Sequence, residues 1–258
     1  MEPQIKVYAG PDELSEAVAE AFVERLRVPP RDGRSTPWFE VALTGGTIAR
    51  SIHRAISKRA EGVPWGQTRF WWGDERFVRS DSLERNALQA REDLLDALTE
   101  LGGEWPAFLS ENDIMEVPAV DEVRDVQTAA EVYADLLRHE GTGSWELVML
   151  GVGPDGHVAS LFPQHPAATV TDAITVAVTD SPKPPPERVS LTFEALARNT
   201  RALWFLVSGA EKADAVARAL APEGSVEETP ARGLGPLLPE DCEVVWWLDG
   251  AAASKLLP

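Results

Sequence analysis

Four consecutive apolar residues, Leu147-Val148-Met149-Leu150, run directly into Gly151, and glycine returns at 153 and 156 around Pro154 and Asp155. An apolar run this short, bounded by glycine, reads as a strand buried on both faces. The glycine-rich break sets the following residues at the carboxyl edge of a sheet, where open α/β folds bind their ligands. The residue delivered there is His157, placed for proton transfer because an unperturbed imidazole has a pKa of about 6.5. Beyond it, Val158-Ala159-Ser160-Leu161-Phe162 is expected to open a helical turn that Pro163 ends.

Strand and helix patterns alternate through most of the chain. Residues 5–8 read as a strand, and Asp12 as the N-cap of a helix over about 13–27, with Leu14, Val18, Ala21, Phe22 and Leu26 on one face. Residues 28–37, rich in Pro, Gly and Arg, read as an exposed loop. Further strands are expected at 39–43, 68–72, 173–178, 202–207 and 244–248. Helices are expected over 48–58, up to about 99, over 120–138, from 193, and up to 220. The pairs Trp71-Trp72 and Trp246-Trp247 read as sheet packing. The segment 181–186, SPKPPP, reads as a stiff loop or a border of the ligand site. This alternation predicts a single α/β domain over 1–258. Its expected architecture is a three-layer αβα sandwich around a mainly parallel, Rossmann-like sheet.

Three further motifs fall after expected strands. Thr44-Gly45-Gly46-Thr47 joins strand to helix, so the backbone can approach an anion and the first helical N–H groups can point at it. An ordinary tight turn explains that motif alone equally well. Asp74-Glu75-Arg76 places three charges after a strand, so they are expected to face a cleft or solvent. Lys212, after Ser208-Gly209, falls in a helix's first turn, where a cation opposes the helix dipole unless an anion lies near. In a parallel sheet all these edges lie on one side of the molecule, and that convergence weighs more than any single motif.

A formal net charge of −18 argues against nucleic acid and anionic membranes as partners. No apolar stretch approaches the roughly 18 residues that span a bilayer, and no secretory signal is visible in MEPQIKVYAG. Cys242, the single cysteine, suits a reducing cytoplasm. The four histidines (53, 139, 157 and 165) lack metal-ligand spacing, so neither metal nor cofactor is expected. His165 reads as a loop histidine.

GVGPDGHVASLFP, residues 151–163, closely resembles the signature of the 6-phosphogluconolactonases, one branch of a group of sugar-phosphate isomerases and deaminases sharing one α/β fold. Related glucosamine-6-phosphate deaminases share the DGH core but usually continue toward an asparagine-glutamate-proline run. Ser160-Leu161-Phe162-Pro163 follows the lactonase pattern. The cradle, the Asp-Glu-Arg block and Arg188-Val189-Ser190-Leu191-Thr192 resemble further elements of the family, and Asn86 stands near where it has an asparagine.

The resemblance implies a sugar-phosphate isomerase/CoA-transferase-like fold and hydrolysis of 6-phospho-D-glucono-1,5-lactone in the oxidative pentose phosphate pathway. It implies His157 as general base and Asp155 as its orienting carboxylate or a turn former. Arg76 would bind phosphate or the developing oxyanion, with Gly45, Gly46, Thr47, Asp74, Arg188 and Lys212 around the sugar phosphate. A cytoplasmic monomer or weak homodimer is expected. The rival readings are an amino-sugar-phosphate isomerase or deaminase of the same fold, and a non-catalytic sugar-phosphate sensor.

Overall fold

The structure, a computed structural model, describes residues 2–28 and 38–256. The loop expected over 28–37 therefore lies outside the described residues, apart from Val28. Six strands form one sheet: β1 (Gln4–Tyr8), β2 (Phe39–Leu43), β3 (Thr68–Trp72), β5 (Leu147–Gly151), β8 (Ala202–Val207) and β9 (Glu243–Asp249). They lie in the order β1-β9-β8-β5-β2-β3, and every pairing is parallel. Every residue of β2 and of β8 is buried, as in strands covered on both faces; β8 is apolar throughout, and the one charged residue of β2, Glu40, accepts from Trp71 Nε1 and Thr142 N.

Helices cover both faces. On one side α1 (Pro11–Arg27), α2 (Thr47–Ser57) and the helical run of α3 (Asn86–Ala90), a wide π turn (Arg91–Leu95) and α4 (Asp96–Thr99) bury Leu14, Phe22, Ile52, Ile56 and Leu94. On the other, α5 (Val126–Glu140), α6 (Phe193–Ala197) and α7 (Ala213–Leu220) bury Ala130, Tyr133, Leu196 and Val216. Helices of this length are marginal alone. Each fully buried Leu, Val or Phe contributes roughly 1.5–3 kcal/mol, so docking on the sheet decides that they form.

Three local readings need correction. Gly10, not Asp12, is the N-cap of α1; Asp12 sits in its first turn. Helix α5 begins at 126 rather than 120, because Asp125 accepts from Thr128 N at 2.7 Å and caps it there. Residues 158–162 form no helical turn. Val158 instead bridges to Val152 and Leu161, and Ala159 adopts φ of 48°.

The larger departure is a second sheet. The short strands β4 (Asp74–Arg76), β6 (Thr175–Val178) and β7 (Arg188–Leu191) pair antiparallel in the order β4-β7-β6. Leu191 N donates to Gly73 O at 2.9 Å, which joins this sheet to the end of β3. The carboxyl ends of β2, β3, β5 and β8 are thus walled on one side by a small, charged sheet. Within the large sheet the strand order reverses between β2 and β5, where α/β proteins open a crevice.

Candidate active site

A cavity of about 500 Å³ opens at that reversal. Its wall includes Thr44 to Thr47 after β2, Asp74 and Arg76 of β4, Gly153 and His157 after β5, Arg188 of β7, and Gly209 and Lys212 after β8. Eight of the nine residues anticipated for the site therefore meet in one place. Asp155, the ninth, is held directly behind His157.

The cradle is built by β2 and α2. Gly46, at φ of 97°, is the N-cap of α2 and carries no side chain to satisfy the helix's first N–H groups. No side chain at the N-cap position binds those donors among the described residues, and Thr47 and Ile48, which carry the first of them, line the cavity. Thr44 Oγ1 accepts from Gly151 N at 3.3 Å and ties the cradle to the end of β5. A Cβ at Gly45 would fall 1.8 Å from Asn86 Oδ1, so only glycine fits against that asparagine.

The loop after β5 is a tight turn closed by Gly153 N donating to His157 O at 2.9 Å. Asp155 Oδ1 lies 2.6 Å from His157 Nδ1. A carboxylate only accepts, so Nδ1 carries the proton and the lone pair resides on Nε2. Asp155 meets the imidazole through Nδ1 and also accepts from His157 N at 3.5 Å within the turn, so its carboxylate makes the contacts of both roles expected for it. Burial pushes His157 below its ordinary pKa, outweighing the opposing hydrogen bond and charge of Asp155. Burial would raise the Asp155 carboxyl, but the hydrogen bond and charge of His157 and the charge of Lys183 hold it well below the usual carboxylate range. The outcome is a neutral imidazole beside an ionised carboxylate at neutral pH.

The SLFP continuation supports this loop from behind. Ser160 Oγ donates to Asp74 Oδ2 at 2.6 Å, and Ser160 N donates to Ser190 Oγ at 3.2 Å, which pins the loop to the small sheet. The Phe162 ring packs 4.5 Å from the imidazole centroid, and Arg188 lies 5.5 Å from the same ring.

The Asp-Glu-Arg block is not simply turned to cleft or solvent. Glu75 is buried and accepts from the backbone N–H groups of Arg76, Asn86 and Ala87 at 2.7–2.8 Å. Burial raises its pKa against those donors and the charge of Arg85. Glu75 is thus a bracket between β4 and α3. Asp74 is buried too and engaged by Ser160. Arg76 is paired across the strands with Arg188. Like charges directly opposite destabilise a sheet, so this pairing favours an anion in the cavity. Arg76 Nε and Asn86 Oδ1 are buried atoms without a partner among the described residues. Arg188 is only 4% exposed, and its Nε and Nη2 donate to the carbonyls of Pro185, Pro184 and Lys183 at 3.0–3.2 Å. Lys212 is the N-cap residue of α7, and burial and the Lys183 charge lower its pKa.

Sequence reasoning missed one side chain. Lys183 reaches Asp155 and His157 at 3.1 and 3.2 Å from the segment read as either a stiff loop or a border of the ligand site, with no residue of it singled out. The available signal was a lysine enclosed by prolines. Asn86, anticipated only by resemblance, donates to Asp74 O at 2.9 Å and lines the cavity. His165 stays outside the cavity and accepts from Ala167 N at 3.1 Å.

Comparison with known proteins agrees with this geometry. A family profile described as glucosamine-6-phosphate isomerases/6-phosphogluconolactonase matches residues 9–246. The 6-phosphogluconolactonase of Streptomyces coelicolor is 36% identical, covering 98% of this chain and 95% of that protein. The Synechocystis 6-phosphogluconolactonase is 32% identical over the whole of both chains. Among solved structures, 6-phosphogluconolactonase from Trypanosoma cruzi superposes with a TM-score of 0.81 at 25% identity, covering 100% of this chain and 99% of that one. A monomeric glucosamine-6-phosphate deaminase, 18% identical over 97% of this chain and 99% of its own, shares the fold with a TM-score of 0.75. Profile, relatives and architecture agree, and the chain belongs to the glucosamine-6-phosphate isomerase/6-phosphogluconolactonase family.

Proposed function

We propose that this protein hydrolyses 6-phospho-D-glucono-1,5-lactone to 6-phosphogluconate in the oxidative pentose phosphate pathway. The observation that carries the reading is the 2.6 Å contact of Asp155 with His157 Nδ1 on a ring that lines a cavity bordered by a helix-start cradle. The 32–37% identity to proteins named 6-phosphogluconolactonase supports the substrate.

His157 Nε2 takes a proton from water as the water oxygen bonds to the lactone carbonyl carbon. The carbonyl π electrons move to its oxygen, and Arg76 stabilises that charge. The tetrahedral intermediate then collapses, the bond from C1 to the ring oxygen breaks, and the imidazolium returns the proton to that oxygen. The product carboxylic acid ionises. Such positioned proton transfer contributes about 10²–10⁴-fold.

The phosphate lies between the N–H groups of Gly45, Gly46 and Thr47 and the ammonium of Lys212, with Arg188 helping to offset its charge. These residues follow β2, β8 and β7 and surround the His157 loop. The absence of a cysteine partner for buried Cys242 among the described residues fits a reducing, cytoplasmic setting.

A lactone-consumption assay, corrected for spontaneous hydrolysis, tests the reading. The phosphorylated lactone should be strongly preferred over the unphosphorylated one, and ammonia release from glucosamine-6-phosphate without lactone turnover would overturn it. Lys212→Ala should raise KM about tenfold with kcat largely kept, since a charged contact contributes roughly 1.5–3 kcal/mol. An unchanged KM would take Lys212 out of the phosphate site.

A further inference from the structure

Lys183 occupies the middle of SPKPPP. That segment is closed on itself: Ser181 N donates to Pro186 O at 3.0 Å, and Ser181 Oγ donates to Lys183 O at 2.9 Å. Prolines at 184, 185 and 186 restrict its backbone. Arg188 bolts it to β7 through the carbonyls of Lys183, Pro184 and Pro185. A fixed arm therefore delivers the Lys183 ammonium 3.1 Å from Asp155 Oδ1 and 3.2 Å from His157 Nδ1.

Nδ1 and the ammonium are both donors, so they do not bond to each other; both point at the one oxygen of Asp155. Lys183 is absent from the cavity wall, which His157 lines. The ammonium meets the imidazole at its Nδ1 edge, outside the cavity lining.

A carboxylate alone at this position orients the ring, but it also stabilises the imidazolium, and an opposite charge at that range typically moves a pKa by about one to three units. A base that retains its proton at working pH is inactive. The carboxylates facing the ring are Asp155 on its own loop and Asp74 on β4. The opposing cation is Lys183 on the proline arm; Lys212 lies beyond, coupled to Lys183 and Asp155.

We propose that Lys183 is a positioning residue for the hydrolysis described above: it shares Asp155 with the imidazole, holds Nδ1 inward and Nε2 toward the cavity, and keeps the ring free to accept a proton. Lys183 sets the acid limit of the enzyme without touching substrate. Only the activity half of the test rests on the lactonase reading.

The test compares Lys183→Met and Lys183→Arg with the wild type. At 38% side-chain exposure Lys183 is replaceable without disturbing the core. His157 is followed by NMR titration of the ring protons in the resting enzyme, its signal assigned by loss in His157→Ala. In parallel, kcat and KM are measured across pH. In Lys183→Met the His157 midpoint and the acid limb of kcat/KM should both rise by about one pH unit, with KM changed by less than about twofold. Lys183→Arg should restore both. An unmoved His157 midpoint in Lys183→Met overturns the proposal, as does a raised KM with a stationary acid limb, which would make Lys183 a substrate ligand. The titration needs no turnover. A wild type inactive on the lactone, together with a raised His157 midpoint in Lys183→Met, would refute the lactonase reading and leave this one standing.

Discussion

His53 and His157 are both held below the ordinary histidine pKa by burial, yet their surroundings differ in every other respect. His53, on α2, is 2% exposed, and neither ring nitrogen has a hydrogen-bond partner among the described residues. Burial pushes it down to about 4, with the charge of Asp93 opposing and those of Arg50 and Arg54 assisting. His157 has a carboxylate on Nδ1, an ammonium behind that carboxylate and an open cavity in front. Perturbation alone does not mark a catalytic base. A fixed proton on one nitrogen and access to the other distinguish His157, the base proposed here, from His53.

The sharpest way to break this contrast is to remove each ring. His157→Ala should lower kcat by about 10²–10⁴-fold. It should leave the melting temperature nearly unchanged, since the ring borders a cavity rather than filling the core. His53→Leu should leave turnover near wild type. Lactone consumption beside thermal melts checks both, and full activity in His157→Ala would end the base assignment.

The next effect is on stability, and only at acid pH. His53 binds its proton at about 4 in the fold and near 6.5 when unfolded. Above pH 6.5 both states are neutral and the site contributes nothing to pH dependence. As pH falls from 6.5 toward 4, the unfolded chain takes up the proton first and stability is lost. Between pH 7 and pH 4.5 that loss amounts to about 2–3 kcal/mol. His53→Leu lacks the linkage, so urea midpoints should show the variant gaining on the wild type by that amount over this range. A constant difference would mean that His53 has water or a partner in solution. Because α2 begins at the Thr47 cradle, acid loosening of His53 should also weaken phosphate binding before global unfolding.

The same contrast explains what could be read from the sequence. The strands at 39–43, 68–72 and 202–207 were legible with their observed bounds because each carries a short apolar and aromatic run, unbroken in 202–207, interrupted only by Glu40 in 39–43 and preceded by Thr68-Arg69 in 68–72. The Gly151 to His157 turn and the cradle were legible because glycines report where backbone approaches something closely. Of the small sheet only β6 was legible, within the strand expected at 173–178; β4, β7 and the pairing of the three were not. Asp74 pairs with Ser190 and Arg76 with Arg188, partners more than a hundred residues apart, and strands of three and four residues leave no periodicity to detect. Glu75 read as a charge facing cleft or solvent because its donors, the N–H groups of Asn86 and Ala87, belong to the start of a helix not adjacent in sequence. Lys183 was hidden for the same reason: what gives it meaning stands 28 residues away on another loop.

The smallest predicted effect concerns how His157 is given room that His53 does not need. A Cβ built at Gly153 would lie 2.0 Å from His157 Nδ1 and 2.4 Å from Asp155 Oδ1. No backbone strain enters, because Gly153 lies outside the left-handed region. The cost is contact alone, imposed on the two atoms whose bond fixes the proton. In Gly153→Ala the ring and carboxylate must shift together. Their 2.6 Å bond can survive while Nε2 moves away from the water it is proposed to activate. Misplacement of about 1 Å can cost up to 10²-fold, and a concerted shift that preserves the pair should cost about tenfold in kcat. The acid limb of the pH profile should stay in place, because Asp155 and Lys183 still face the ring. If Gly153→Ala instead moves the acid limb and spares kcat at its plateau, the glycine protects the proton affinity of the imidazole rather than its aim.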